Sequence, residues 1–259
     1  MTALRVLETN LLFASDLIVW LDGTSATDPA QMQRINSTVS VLFDNTRPAD
    51  LRWRHGEGKT ALWRRASARI VPGEAGDADR QALPEIPYTL SGSVSDNPGK
   101  YNPRRFEILA GNAQGHSLVM YPTPSGTAIG RGGALRGNLR FAADSAPAVW
   151  AILTLTVDLG VAGSLLFRAQ ADRHGDFVLP MQRLPPLPQG VVNYAATLSV
   201  RALADAAADT PLDPADLTDM QLGRLNAAGF AAAIDLTVLP GQYALIRSQG
   251  RDHVAVQPI

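Results

Sequence analysis

The chain has 259 residues, 46% of them apolar and 18% charged, enough to bury a sizeable core and inconsistent with global disorder. Its 23 basic and 24 acidic side chains leave a formal net charge of -1, which argues against duplex DNA or an anionic membrane as partner, since both favour a clustered basic surface. Cysteine is absent, which excludes disulfides, thiolate metal sites and cysteine nucleophiles.

Met1 to Trp20 holds one basic residue together with Glu8 and Asp16, and no small-residue cleavage site follows an apolar core. It does not read as a signal peptide, and the lack of cysteine leans the same way, towards the cytoplasm. The apolar segments of the first half are short, rich in Val, Ile, Leu and aromatics, and closed by Gly, Pro, Asn or Asp, the punctuation of strands. Strands are predicted at Leu4–Glu8, Asp16–Leu21, Thr38–Phe43, Thr60–Val71, Tyr88–Val94, Phe106–Leu109 and Ser117–Tyr121. A short helix is predicted after Asp28, which can cap it, with Pro29 in its first turn. Pro72 to Pro87 is polar and acidic and reads as a long surface loop.

Pro122 to Gly137 carries glycines at 126, 130, 132, 133 and 137, a density that marks the domain boundary. Beyond it, strands are predicted at Asn138–Ala142, Val149–Val157, Leu165–Ala171, Phe177–Met181, Tyr194–Leu203, Ala231–Leu239 and Tyr243–Ser248, with His253–Val256 adding an edge strand. Ala146–Val157, the longest apolar run, contains Pro147 and two threonines and is too short to span a bilayer. Asp172 to Asp176 has the residues of a hairpin turn, with Gly175 suited to positive φ. Leu184 to Pro188 should run extended between sheets, and Ala204–Asn226 should form a loop with one short helix. The fold expected is therefore all-β: two β-sandwich domains of the immunoglobulin-like or transthyretin-like kind, with short helices in loops. Residues 1–125 form an N-terminal β-rich domain, 126–137 a Gly/Pro-rich linker, and 138–259 the second sandwich.

Phe167-Arg-Ala-Gln-Ala-Asp-Arg-His-Gly-Asp-Phe-Val-Leu179 resembles the strand–turn–strand of carboxypeptidase regulatory-like (transthyretin-type) domains, in which a polar Asp-x-x-Gly turn leads into Phe and an apolar strand. Gly137–Phe141 and Ala196–Arg201 sit where that family has its first and later strands, so the resemblance covers roughly 135 to 259. The long proline segment Leu184–Tyr194 and the Asp-rich insertion depart from it. Within the turn, the small polar residues and Gly175 account for the pattern as turn chemistry, with Phe177 dropping into the core.

The remaining motifs read as structural. His55, His116, His174 and His253 form no H-x-x-H or H-E-x-x-H arrangement. Gly56-Glu57-Gly58-Lys59-Thr60 lacks the first glycine of a phosphate loop, that position being Trp53, and continues into strand-like sequence. Gly126 to Gly133 has no strand-then-helix context for a dinucleotide, and no Gly-x-Ser-x-Gly elbow exists. Asp205, Asp209, Asp213, Asp216 and Asp219 do not follow calcium-loop spacing, and Asp213 capping a short helix is the simpler account. No catalytic residue, cofactor or metal is expected. Trp53 and Trp63, beside Arg52, Arg54, Arg64 and Arg65, are the candidate interface, because Trp and Arg are the residue types enriched there.

These readings converge on a non-enzymatic structural or interaction protein with protein partners, and with a homo-oligomer as one form. The layout resembles accessory proteins of phage-tail-like contractile particles, which implies a place in such an assembly. Two alternatives stand beside it. One is a carbohydrate- or small-ligand-binding module using Tyr101, Tyr121, Tyr194 or Trp53; the other is a metal-dependent hydrolase using the scattered His and Asp.

Overall fold

A computed structural model describes residues 16–64 and 87–259 and is almost entirely β-structure. The first seven strands are β1 (Asp16–Asp22), β2 (Val39–Phe43), β3 (Leu51–Gly56), β4 (Lys59–Arg64), β5 (Tyr88–Asp96), β6 (Arg104–Ala110) and β7 (Gly115–Met120). They form a four-stranded sheet in the order β3-β4-β1-β7, with β1 and β7 parallel, and a three-stranded antiparallel sheet β2-β5-β6. Period-two sequence dictates which faces meet. β6, Arg-Arg-Phe-Glu-Ile-Leu-Ala, alternates buried and exposed along its whole length. Ile18, Trp20 and Leu62 from one sheet and Phe43, Leu90 and Phe106 from the other share a single apolar cluster. Trp20 and Phe106 meet edge to face at 5.7 Å within it.

The remaining strands are β8 (Ala134–Phe141), β9 (Ile152–Asp158), β10 (Ser164–Gln170), β11 (Asp176–Pro180), β12 (Tyr194–Ala202), β13 (Thr218–Gly223), β14 (Phe230–Ala231), β15 (Ala233–Val238), β16 (Tyr243–Leu245) and β17 (Val254–Pro258). Seven run in the order β10-β9-β12-β13-β17-β8-β11, with β14 on β13, β15 on β12 and β16 on β8. The end strands β10 and β11 lie side by side, so the sheet curls around a second cluster that includes Leu139, Leu155, Phe167, Phe177, Leu198 and Val254.

Several expectations are corrected. Residues after Asp28 make a single turn, closed by Met32 N–H to the Asp28 carbonyl and by Ala30 N–H to Asp28 Oδ1, and no helix follows. The sequence 51–56, given no strand above, is β3, paired with β4 through a Glu57-Gly58 turn in which Gly58 has φ +61°. β8 begins at Ala134, inside the stretch read as a linker. The glycines ahead of it are packed: a Cβ on Gly132 would overlap the Met181 carbonyl and one on Gly133 the Gln242 carbonyl. High glycine density here serves close backbone approach instead of flexibility.

The corner Asp172–Asp176 joins strands that ladder to different partners, β10 to β9 and β11 to β8. Asp172 Oδ1 accepts from the N–H groups of His174 (2.7 Å) and Asp176 (3.1 Å), and Gly175 has φ +79°. Phe177 is buried as expected. The Asp-rich insertion contains the strand β13, besides a single 3-10 turn at Pro214–Asp216. β17 is no edge strand: it lies between β13 and β8, with Val254, Ala255 and Val256 all buried. Leu4–Glu8, most of the 72–87 loop, and the part of the expected strand Thr60–Val71 beyond Arg64 lie outside the described residues. Among the described residues no helix is long and apolar enough to cross a membrane.

Candidate functional site

The Trp/Arg cluster divides between the two faces of the β3–β4 hairpin. Cross-strand register pairs Trp53 with Leu62 and Arg52 with Trp63. Leu62 is fully buried, so Trp53 turns towards the core, where it meets Phe43 edge to face at 4.9 Å and carries the Arg47 guanidinium 5.4 Å from its ring centre. Arg64 shares that side of the strand. Its Nε lies 2.7 Å from Asp50 Oδ1 and its guanidinium 5.5 Å from the Tyr88 ring centre. The hydrogen bond from Arg64 holds the Asp50 carboxyl below the usual carboxylate range.

Arg52, Arg54 and Trp63 share the opposite face. Arg52 and Arg54 are exposed and Trp63 half-buried, and Arg52 Nη1 donates to the Leu51 carbonyl at 2.9 Å. Arg65 lies outside the described residues. The structure thus brings Arg52, Arg54 and Trp63 to one surface and directs Trp53 and Arg64 elsewhere.

The phosphate-loop-like residues are this hairpin's turn. Thr60, fully buried, accepts from Trp20 Nε1 at 3.1 Å and lies 3.0 Å from His55 Nδ1, which ties the hairpin to the core. Burial moves His55 below its ordinary value. His116 Nε2 sits 3.2 Å from the buried Asp16, which also accepts from the Gly111 N–H at 2.6 Å. His174 is in the exposed corner, and His253 Nδ1 lies 2.7 Å from Asp252 Oδ1. The four imidazoles therefore occupy separate local settings. Among the described residues no group of three or more His, Asp or Glu side chains is placed to hold a metal ion.

The tyrosines proposed for ligand binding do not line a groove together. Tyr121 and Tyr194 are buried, and Tyr194 Oη donates to the Pro186 carbonyl at 2.9 Å. Tyr101 Oη donates to Asp22 Oδ2 at 3.0 Å, and burial followed by the Asp22 charge pushes its phenol well above its ordinary value.

The polar residues that do converge lie where the two halves of the chain meet. Arg104, 7% exposed, donates from Nη2 to Asp213 Oδ1 (2.9 Å), from Nη1 to the Val119 carbonyl (2.7 Å) and from Nε to the Arg105 carbonyl (2.9 Å). Asn102 Nδ2 reaches the Gln170 and Ala171 carbonyls at 3.3 and 3.4 Å, and Gln170 Nε2 donates to the Trp150 carbonyl at 3.1 Å. Arg105 N–H bonds the Leu212 carbonyl across the same boundary. Around these bonds Tyr121, Ile152 and Leu217 form a small apolar cluster. Burial drives the Tyr121 phenol up, opposed by the nearby Arg168 and Arg104.

Asp213 caps the 3-10 turn as expected, accepting from Ala215 N–H at 3.0 Å, and the same carboxylate receives Arg104. This seam was not singled out from sequence. The available signal was Arg104 at an inward position of a strictly alternating strand, which demands a buried partner. Comparison with family models, curated proteins and solved structures finds no match.

Proposed function

We propose that this chain is a non-enzymatic structural and interaction protein, a component of a larger assembly such as a phage-tail-like contractile particle. In this reading each half is a β-sandwich: the first is the pair of facing sheets, and the second is the curled sheet of the transthyretin-type resemblance. The observation that carries the proposal is the seam. An Arg–Asp pair, side-chain amides and an apolar cluster join the halves, and such a network fixes their relative orientation. A fixed spacer with strand edges and loops to either side is what an assembly component requires, whereas binding a small ligand does not call for it.

The protein partners would meet it in the cytoplasm, and the Arg52, Arg54 and Trp63 face is one docking surface. The test is gradient sedimentation of native lysate followed by detection of this chain. Recovery with high-mass particles is expected. A chain found only as free monomer overturns the proposal.

The ligand-binding alternative has one feature in its favour. A shallow groove of about 500 Å³ crosses the outer face of β9, β12 and β15, lined among others by Thr156, Asp158, Thr197, Asp235 and Thr237. A glycan array and a thermal-shift ligand screen without hits would retire that alternative.

A further inference from the structure

The second half of the chain leaves a strand edge open. Among the described residues β16 pairs only with β8, in parallel, with Leu245 opposite Arg136. Gln242 accepts from the Ala134 N–H and the Ile246 N–H donates to the Arg136 carbonyl, so residues 242, 244 and 246 direct their backbone groups towards β8. Those of Tyr243 and Leu245 point the other way, where no described strand takes them. Beside this edge lies a cleft of about 300 Å³, walled by Leu135 and Ile246 on one side and by Leu225, Leu236 and Leu239 on the other.

Large apolar side chains are unusually exposed on β16 and at the cleft: Leu245 at 49%, Tyr243 at 45% and Leu239 at 38%. The charge beside the edge is basic. Arg136 lies over the Tyr243 ring at 5.0 Å, Arg247 follows β16 in the exposed position next to Ile246, and neither has a carboxylate partner among the described residues.

We infer that the free edge of β16 is a β-augmentation site, which takes an extended segment of a partner protein that is apolar at alternate positions and carries carboxylates between them. Unmet backbone N–H and C=O groups in a row are satisfied by another backbone. The cleft takes every second side chain, and Arg136 and Arg247 favour acidic residues on the outward positions. The inference rests on the assembly reading and specifies how the partner docks.

The test is amide hydrogen exchange on the full chain, free and in the high-mass fraction. The amides of Tyr243 and Leu245 are expected to slow at least tenfold in the particle. Leu245→Pro, which removes an outward N–H and leaves the β8 ladder intact, should melt like the parent and lose recovery with the particle. Recovery with unchanged exchange at both amides overturns the edge site while the assembly reading stands.

If the chain does not sediment with particles, the assembly reading falls, and a soluble octapeptide of alternating valine and glutamate decides the edge on its own. Protection of the same two amides, absent with the valine–lysine analogue, together with loss of protection at the Tyr243 amide in Leu245→Pro, supports the edge. No protection at millimolar peptide overturns it.

Discussion

Arg104 Nη2 and Asp213 Oδ1 lie 2.9 Å apart, and through them the first strand residue after the Asn102 loop is held to the Asp-rich insertion of the other half. Burial opposes the charge on Arg104, while Asp213 and the bound carbonyls sustain it. Replacing Asp213 by Ala leaves the guanidinium buried and short of an anion. Denaturant unfolding should then show a loss of about 3 kcal/mol, the lower end of what breaking a buried pair costs, because Asp213 keeps some contact with water. The double variant Arg104→Met with Asp213→Ala, which removes both charges, should recover part of that loss.

The packed glycines give a second test. Gly132→Ala places a methyl against the Met181 carbonyl and is expected to cost more than about 3 kcal/mol, or to prevent folding. Gly190 has φ +83° but open space around its Cβ position, so Gly190→Ala pays only for the left-handed backbone, about 1 kcal/mol. Urea midpoints of the two variants measured side by side check the ranking.

A third contrast separates the two hairpin tryptophans. Trp53→Ala removes a ring that meets Phe43 at the core and should destabilise by about 3 kcal/mol. Trp63→Ala acts on the outer face opposite Arg52, where about 1 kcal/mol or less is expected. If the outer face docks a partner, Trp63→Ala lowers recovery with the particle without a matching loss of melting temperature, whereas Trp53→Ala lowers both together.

Stability should also fall at alkaline pH in a way that depends on Tyr101. Burial and Asp22 raise its phenol above the ordinary value of 10.0, so the unfolded chain loses the proton first. The stabilisation is complete below pH 10.0 and is lost as the pH climbs from there towards the folded value. Tyr101→Phe forfeits one hydrogen bond, about 1 kcal/mol, and should show a flatter decline of unfolding free energy above pH 10.

Much of the β-structure was legible because its strands announce themselves locally. Asp16–Asp22, Tyr194–Ala202 and Ile152–Asp158 are apolar at alternate positions or along both faces and are bounded by turn residues. Other strands carry a more dilute signal. β13, Thr-Asp-Met-Gln-Leu-Gly, buries only Met220, Leu222 and Gly223 and sits among aspartates that read as loop. β3 alternates Leu51 and Trp53 with Arg52 and Arg54, a period that lasts only four residues before His55-Gly56 and the Glu57-Gly58 turn.

The seam was harder to foresee. Arg104 showed a demand for a partner, but nothing local identifies Asp213 among five similarly spaced aspartates, because the pairing is decided by how two distant segments pack. The central place of β17 is of the same kind. Val254-Ala255-Val256 is an apolar run suited to full burial, while the identity of its neighbours is a matter of topology.

That topology governs how the second half folds. Leu139 must wait for Val254 before one side of β8 is satisfied, and the intervening strands have to be held in a compact arrangement without their middle. Long loop closures of this sort slow folding, and until the closing strand arrives the nascent sheet presents two raw borders on β8 and β13. Refolding from denaturant should accordingly be slow and sensitive to protein concentration, with chaperone dependence in the cell concentrated on this half.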